Sequence, residues 1–277
     1  MLYLISSIGI NLCMAFLMRY SEHHNGNRYA LNIWNYLTGS FISIFMLEDK
    51  GLIFHMDTVS LGAGFINGIG FVASLVFIQL SIRRNGAPLT TTFNRLEILI
   101  PTILSALFFL EIPTFLQITG LLLCSFSIFF MNWGSREKRP PFRLGLIMIF
   151  ILGGLLDFLS KLYSRYYGSD SQTCFVFYTF LTALAISIVI FIRDGGKMSR
   201  QDILIGIGVG IPNQLTTLFV LRAAAVLPAY IVYPTYSAGL IILVNIINYL
   251  AFREKLSRHQ YIATGLIGLG LVLINLT

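Results

Sequence analysis

Charge is scarce in this chain: 11% of its 277 residues are Asp, Glu, Lys or Arg, 56% are hydrophobic, and mean hydropathy is +0.78. Soluble domains carry about a quarter charged residues, so a water-soluble globule is excluded. Cysteine is equally sparse. Cys13, Cys124 and Cys174 stand singly in apolar stretches, with no Cys-x-x-Cys and no neighbouring histidine, so they read as buried inert thiols that point to no redox compartment. His23, His24, His55 and His259 fall in loops or at the ends of apolar stretches, the usual place of solvated imidazoles rather than of metal ligands. Also missing are His-Glu-x-x-His, a paired acidic metal motif, and Ser, His and Asp together at membrane depth. No catalytic residue, metal or cofactor is therefore expected, and the chain does not read as an enzyme.

What is present is apolar length. Ten stretches, near residues 2–18, 29–47, 60–82, 88–108, 114–133, 142–163, 171–192, 202–222, 228–252 and 258–276, each approach the roughly 20 residues that cross a bilayer as a helix. The expected fold class is an all-α integral membrane protein of ten transmembrane helices. Connections such as Arg83-Arg84-Asn85-Gly86-Ala87 are too short for anything but antiparallel neighbours. The net charge of +7 comes from short loops at span ends, the ordinary electrostatics of insertion, and it does not imply nucleic acid. Fourteen of the 19 Lys and Arg residues lie in the loops after spans 1, 3, 5, 7 and 9. Only Lys50, Arg165 and Arg222 lie in or beside the others, and Arg95 and Lys161 sit within spans. Positive loops stay cytoplasmic, so the count places both termini outside a cell membrane.

The chain also resembles itself. At an offset of about 143, Glu-Ile-Pro-Thr-Phe-Leu-Gln from Glu111 falls on Glu-Lys-Leu-Ser-Arg-His-Gln from Glu254, and with a small gap Asn11 falls opposite Asp157. The expected organisation is a first five-helix repeat at 1–134, a linker at 135–141 and a second repeat at 142–277. Five is odd, so the second copy enters the membrane inverted, the plan of many secondary transporters. The Glu-x-Leu-Ser-x-x-Gln signature opening span 10 and its echo opening span 5 resemble those of the drug/metabolite transporter superfamily, in its EamA-like ten-helix branch. The likeness covers the whole chain by architecture and rests on these two short motifs. Departures are Leu110 and Arg253 before the two glutamates, where Gly is usual, and Ala263 where Gly120 stands in the first copy. The family usually keeps both termini inside, against the charge count. The resemblance implies a central cavity that moves small organic solutes by alternating access.

Candidate substrate-binding residues are the polar groups at membrane depth, where ionisable side chains are costly and generally face a cavity or one another. Thr90, Asn94, Glu97, Pro101 and Ser105 form one polar stripe along span 4, with Arg95 off it, since two residues turn a helix by about 200°. Span 9 carries Tyr230, Tyr233, Ser237, Asn245 and Asn248 on a similar face, and the repeat offset carries Asn94 onto Ser237 and Ser105 onto Asn248. These stripes either line a cavity or bind helices together, as Ser, Thr and Asn do at about 0.6 kcal/mol each. Asp157 and Lys161 share a face of span 6 and can pair, or Lys161 can snorkel to the headgroups. A charged carboxylate at that depth is expensive, which makes Glu97 and Asp157 the candidates for proton coupling, while an uncoupled facilitator or an exchanger fits the sequence equally well. In span 8, Pro212 precedes Asn213 and Gln214; Asn67 lies near the related place in span 3. A helix distortion there would present amides to substrate, and glycine-mediated packing explains the surrounding glycines equally well. Trp34, between Asn32 and Asn35, is a further lining candidate, whereas Trp133 reads as an interface anchor. The expected partners are a small polar, zwitterionic or cationic organic metabolite, a coupling proton and the lipid bilayer. A lipid-linked or amphipathic substrate carried by a flippase is the alternative.

Overall fold

The computed structural model describes residues 1–23, 27–55, 58–131, 142–251 and 257–276. The 135–141 linker, Trp133 and Glu254 lie outside the described residues, as does the side chain of Asn248. Among the described residues the chain is helical without a strand. The helices are α1 (Leu2–His23), α2 (Arg28–Met46), α3 (Thr58–Leu96), α4 (Leu99–Phe109), α5 (Phe115–Met131), α6 (Arg143–Tyr166), α7 (Ser169–Arg193), α8 (Arg200–Val226), α9 (Ala229–Ala251) and α10 (Arg258–Asn275). Six apolar segments are long enough to cross a membrane: Thr58–Gly86, Leu89–Phe109, Arg143–Tyr166, Ser169–Arg193, Arg200–Val226 and Ala229–Ile247. Leu2–Met18 and Phe115–Met131 are shorter apolar helices. These features fit a multi-pass membrane protein.

Gly86 adopts φ 75°, ψ 164° inside α3, a conformation that L side chains avoid, and it divides the first of these segments from the second. Asn85, just before it, gives its amide to Phe142 O (3.2 Å) and takes the Phe142 N–H, tying the joint to the start of α6. The expected span over 88–108 is the apolar segment Leu89–Phe109, with one interruption: α3 ends at Leu96, α4 begins at Leu99, and Glu97 and Ile98 form the turn between them. Pro101 is the physical reason. It has no N–H to offer the carbonyl four residues back, and its ring crowds that carbonyl, which belongs to Glu97. Ile100 N takes the Glu97 carbonyl instead, at 3.0 Å. Pro212 has a milder effect, since α8 runs through it as one element.

The chain forms two compact units, each drawing helices from both halves of the sequence. Unit 1 is Met1–Val72 with Leu162–Ala225, and unit 2 is Ala73–Lys161 with Val226–Thr277. In unit 1, α2 packs along α7, and the rings of Tyr36 and Phe180 meet at 5.7 Å. Glycines bring the flanking helices against this pair. A methyl on Gly64 would stand 2.7 Å from Tyr178 Cβ, and one on Gly68 would stand 2.5 Å from Thr179 O and 2.6 Å from Thr182 Cβ. The same contact recurs between α8 and α2: a methyl on Gly206 would stand 2.7 Å from Trp34 Cβ, and one on Gly210 would stand 2.6 Å from Asn35 O and 2.7 Å from Thr38 Cβ. Matching Gly64 with Gly206 and Gly68 with Gly210 also matches Tyr178, Thr179 and Thr182 with Trp34, Asn35 and Thr38.

Unit 2 is built around α5 packed along α10. Gly120 and Gly270 face each other so closely that a methyl on either would lie within 2.9 Å of the other's carbonyl. Cys124, Ile128, Ile231, Ile241, Ile267 and Ile274 fill the core around that crossing. Cys124 Sγ lies 3.8 Å from Ile267 O, two residues separated by 143 positions. The Glu-x-x-Thr/Ser-x-x-Gln motifs resolve into helix starts. Thr114 N donates to Gln117 Oε1 (2.9 Å) and Gln117 N to Thr114 Oγ1 (3.4 Å) at α5; Ser257 and Gln260 repeat the arrangement at α10, at 2.8 and 3.3 Å. Each is a capping box that satisfies two backbone donors left over at a helix N-terminus.

Candidate functional site

The ionisable candidates gather in unit 2. The turn forced by Pro101 points Glu97 at α6, where Gly153 and Gly154 leave room for it. A methyl on Gly153 would fall inside the Glu97 carboxylate, and one on Gly154 would stand 2.8 Å from Glu97 O and 2.5 Å from Ile100 Cβ. The carboxyl group therefore rests on bare α6 backbone. One helical turn further along α6 lies Asp157, whose charge acts on Glu97 together with that of Arg95. Asp157 is fixed from α9: the buried Tyr233 donates its hydroxyl to Asp157 O at 2.6 Å. Both residues are part-buried.

Lys161, a further turn along α6, does not snorkel. It is 1% exposed, its Nζ lies 2.9 Å from Glu111 Oε1, and it donates to Leu227 O at 2.8 Å. The other Glu111 oxygen takes Ala229 N at 2.7 Å, which places a carboxylate at the N-terminus of α9, where the helix dipole favours it. Spacing along α6 offered Lys161 the carboxylate of Asp157; the fold supplies Glu111. Leu110 aims that residue through a left-handed turn, φ 56° and ψ 30°, a conformation better suited to glycine.

Arg95 turns elsewhere, as its rotation from Glu97 requires. It lines a cavity of about 220 Å3 with Thr91, Ile128, Leu240, Val244 and Asn245. Of the remaining unit 2 candidates, Asn94 is half-buried and Tyr230 packs against the α5/α10 core. Ser237 is buried, and its hydroxyl has no hydrogen-bond partner among the described residues; the same holds for Ser105.

The unit 1 candidates bind helices to one another. Asn67 donates to Thr179 Oγ1 (3.2 Å), Asn213 to Asn35 Oδ1 (3.0 Å) and Gln214 to Ser43 Oγ (3.3 Å). Trp34 packs on Gly206 and donates its indole N–H to Met198 Sδ at 3.2 Å. Asn11 is buried. Of the two readings at Pro212, the contacts of Gly206 and Gly210 on α2 match the packing one: α8 runs through Pro212 as one helix, and each of the two following amides donates to a side chain. Sequence reasoning missed Gly153, Gly154 and the carbonyl of Leu227. The paired glycines in Leu152-Gly153-Gly154-Leu155 were an available signal, because two adjacent small residues in an apolar span mark a close approach. Leu227 had none. Among the described residues, no group of three or more His, Cys, Asp or Glu is placed to hold a metal ion.

No family model and no curated protein matches the sequence. A solved structure, described only as the crystal structure of a protein, superposes with a TM-score of 0.78 over 99% of this chain and 96% of its own, at 15% identity. That likeness establishes a shared fold and nothing about cargo or chemistry.

Proposed function

We propose that this chain is a secondary transporter, carrier or exporter, of a small polar, zwitterionic or cationic organic metabolite, working by alternating access between two inverted repeats of five transmembrane helices. The reading takes it as a non-enzymatic member of the drug/metabolite transporter superfamily, EamA-like branch, in a cell membrane with both termini outside. Three recurrences near one sequence offset support the repeat: the capping boxes of α5 and α10, the glycine contacts of α3 on α7 and α8 on α2, and the Cys124–Ile267 crossing. The observation that carries the function is Glu97, a carboxylate in a helix break at membrane depth, laid on Gly153 and within the field of Asp157. A stranded carboxylate there costs several kcal/mol unless a cation, a proton or water relieves it. A cationic group of the cargo or a coupling proton would each do so.

Thermal-shift screening of the purified protein against amino acids, amines, nucleosides and sugars tests this, because ligand binding to the native state raises the melting temperature. A hit among amines or amino acids that is lost in Glu97→Gln supports direct recognition. Binding that persists in Glu97→Gln but loses its pH dependence supports proton coupling. A hit that Glu97→Gln binds and transports like the parent at every pH would move the site away from Glu97. Stabilisation by lipid-linked sugars alone would favour the flippase.

A further inference from the structure

We propose that the Arg95 cavity is a binding site for an acidic phospholipid, with the headgroup phosphate on the guanidinium and the first part of an acyl chain along the apolar wall. Glu97 does not line this cavity, although the charge of Arg95 acts on it, and the proposal does not rest on the transport reading. Arg95 forms no hydrogen bond or ion pair among the described residues, yet it sits in a span that begins at Leu89, less than two turns or about 9 Å along the helix. The backbone there is inside the hydrocarbon, and the long side chain can carry its guanidinium back toward the headgroups at this end of the span. The cavity lies at the matching ends of its other helices: Met131 is the last residue of α5, and Asn245 stands in the last two turns of α9.

The lining has two characters. Arg95, Thr91 and Asn245 are polar, and Ile128, Leu240 and Val244 are apolar. A small soluble anion would satisfy the guanidinium and leave the hydrocarbon wall wet. A purely apolar ligand would fill the wall and leave the charge uncompensated, at about 2.5 kcal/mol or more for an arginine well inside a bilayer. An anionic amphiphile satisfies both. About 220 Å3 is too small for a whole phospholipid, so the site takes the phosphate and the nearest methylenes while the chains remain in the bilayer. The sequence adds a second argument. In the sequence, Arg83 and Arg84 follow span 3, Arg136, Lys138 and Arg139 follow span 5, and Arg253 and Lys255 follow span 9. Basic juxtamembrane residues draw anionic lipid to the surface, and basic pockets between transmembrane helices hold its headgroups.

The test uses the full chain purified in neutral detergent. Thermal unfolding and native mass spectrometry are read with dioleoylphosphatidylglycerol, dioleoylphosphatidylcholine or glycerol 3-phosphate added. The parent should bind phosphatidylglycerol at least fivefold more tightly than phosphatidylcholine and should not respond to glycerol 3-phosphate. Arg95→Gln should abolish the preference, and Arg95→Lys should keep part of it. Val244→Trp fills the apolar wall with Arg95 intact and should also abolish it, which keeps the test decisive should Arg95→Gln fail to fold. Equal affinity for the two lipids, an undiminished preference in Arg95→Gln or Val244→Trp, or glycerol 3-phosphate binding as tightly as the lipid would each overturn the proposal.

Discussion

Unit 1 and unit 2 solve the problem of polar groups in an apolar setting in opposite ways. Unit 1 uses amides and hydroxyls in helix-to-helix bonds, Asn67 with Thr179, Asn213 with Asn35 and Gln214 with Ser43. Its buried carboxylate, Asp202, is taken up by the backbone: Oδ1 accepts from Asn27 N and Oδ2 from Ser199 N, both at 2.9 Å. Unit 2 holds Glu97, Glu111, Asp157 and Lys161. One of those carboxylates is matched by the lysine, whereas Glu97 and Asp157 are half-buried and act on each other. Polar residues inside a bundle are thus of two kinds, neutral amides that each donate to another helix, though Asn67 Oδ1 and Gln214 Oε1 accept nothing among the described residues, and carboxylates that leave charge to be met from outside.

That contrast can be broken by substitution. The largest effect is expected for Lys161→Met, which strands the Glu111 carboxylate; removing one partner of a buried pair costs about 3 to 5 kcal/mol. Adding Glu111→Gln should recover part of the loss in thermal unfolding. A cost no greater than that of a unit 1 amide substitution would erase the distinction. Next come the glycine contacts. Gly154→Ala in unit 2 and Gly210→Ala in unit 1 each push a methyl onto a carbonyl and a Cβ, and each should cost about 1 to 3 kcal/mol as overpacking. Gly153→Ala meets mainly the far end of the Glu97 side chain, so it should be less destabilising than Gly154→Ala while impairing substrate binding more. Asn213→Leu removes one interhelical bond and should cost only about 0.6 kcal/mol, with little effect on binding of any hit from the ligand screen. The smallest effect is a gain. Leu110→Gly relieves a left-handed residue, worth about 1 to 2 kcal/mol, and loses part of this to glycine entropy, about 0.5 to 1 kcal/mol; the melting temperature should rise slightly.

Local chemistry was legible in the sequence, and long-range pairing was not. Apolar length marked the helices, Gly86 lay in a stretch already read as a connection, and the Thr-x-x-Gln and Ser-x-x-Gln spacings are capping boxes whose partners are three residues apart. Pro101 was visible, and its effect on the carbonyl of Glu97 follows from four-residue spacing. The partner of Lys161 was hidden for a different reason. Spacing on one helix offers Asp157, whereas the fold brings Glu111 and Leu227 from segments far away in the chain. Asn213 and Gln214 read as candidate ligands because an amide in an apolar span needs a partner, and a sequence does not say whether that partner is a solute or Asn35 and Ser43.

The Glu111–Lys161 clasp also constrains how the chain is made. Ribosomes deliver Glu111 first, Lys161 next, and Leu227 and Ala229 last. The lysine therefore enters the bilayer with its counter-ion already synthesised, so its ammonium can be neutralised before the later spans exist. The carbonyl of Leu227 and the N–H of Ala229 arrive afterwards and close the arrangement from the other side. The order of synthesis thus lets the ion pair form before the start of α9 supplies the last two bonds. A chain stopped after α8 would contain the pair and lack those bonds.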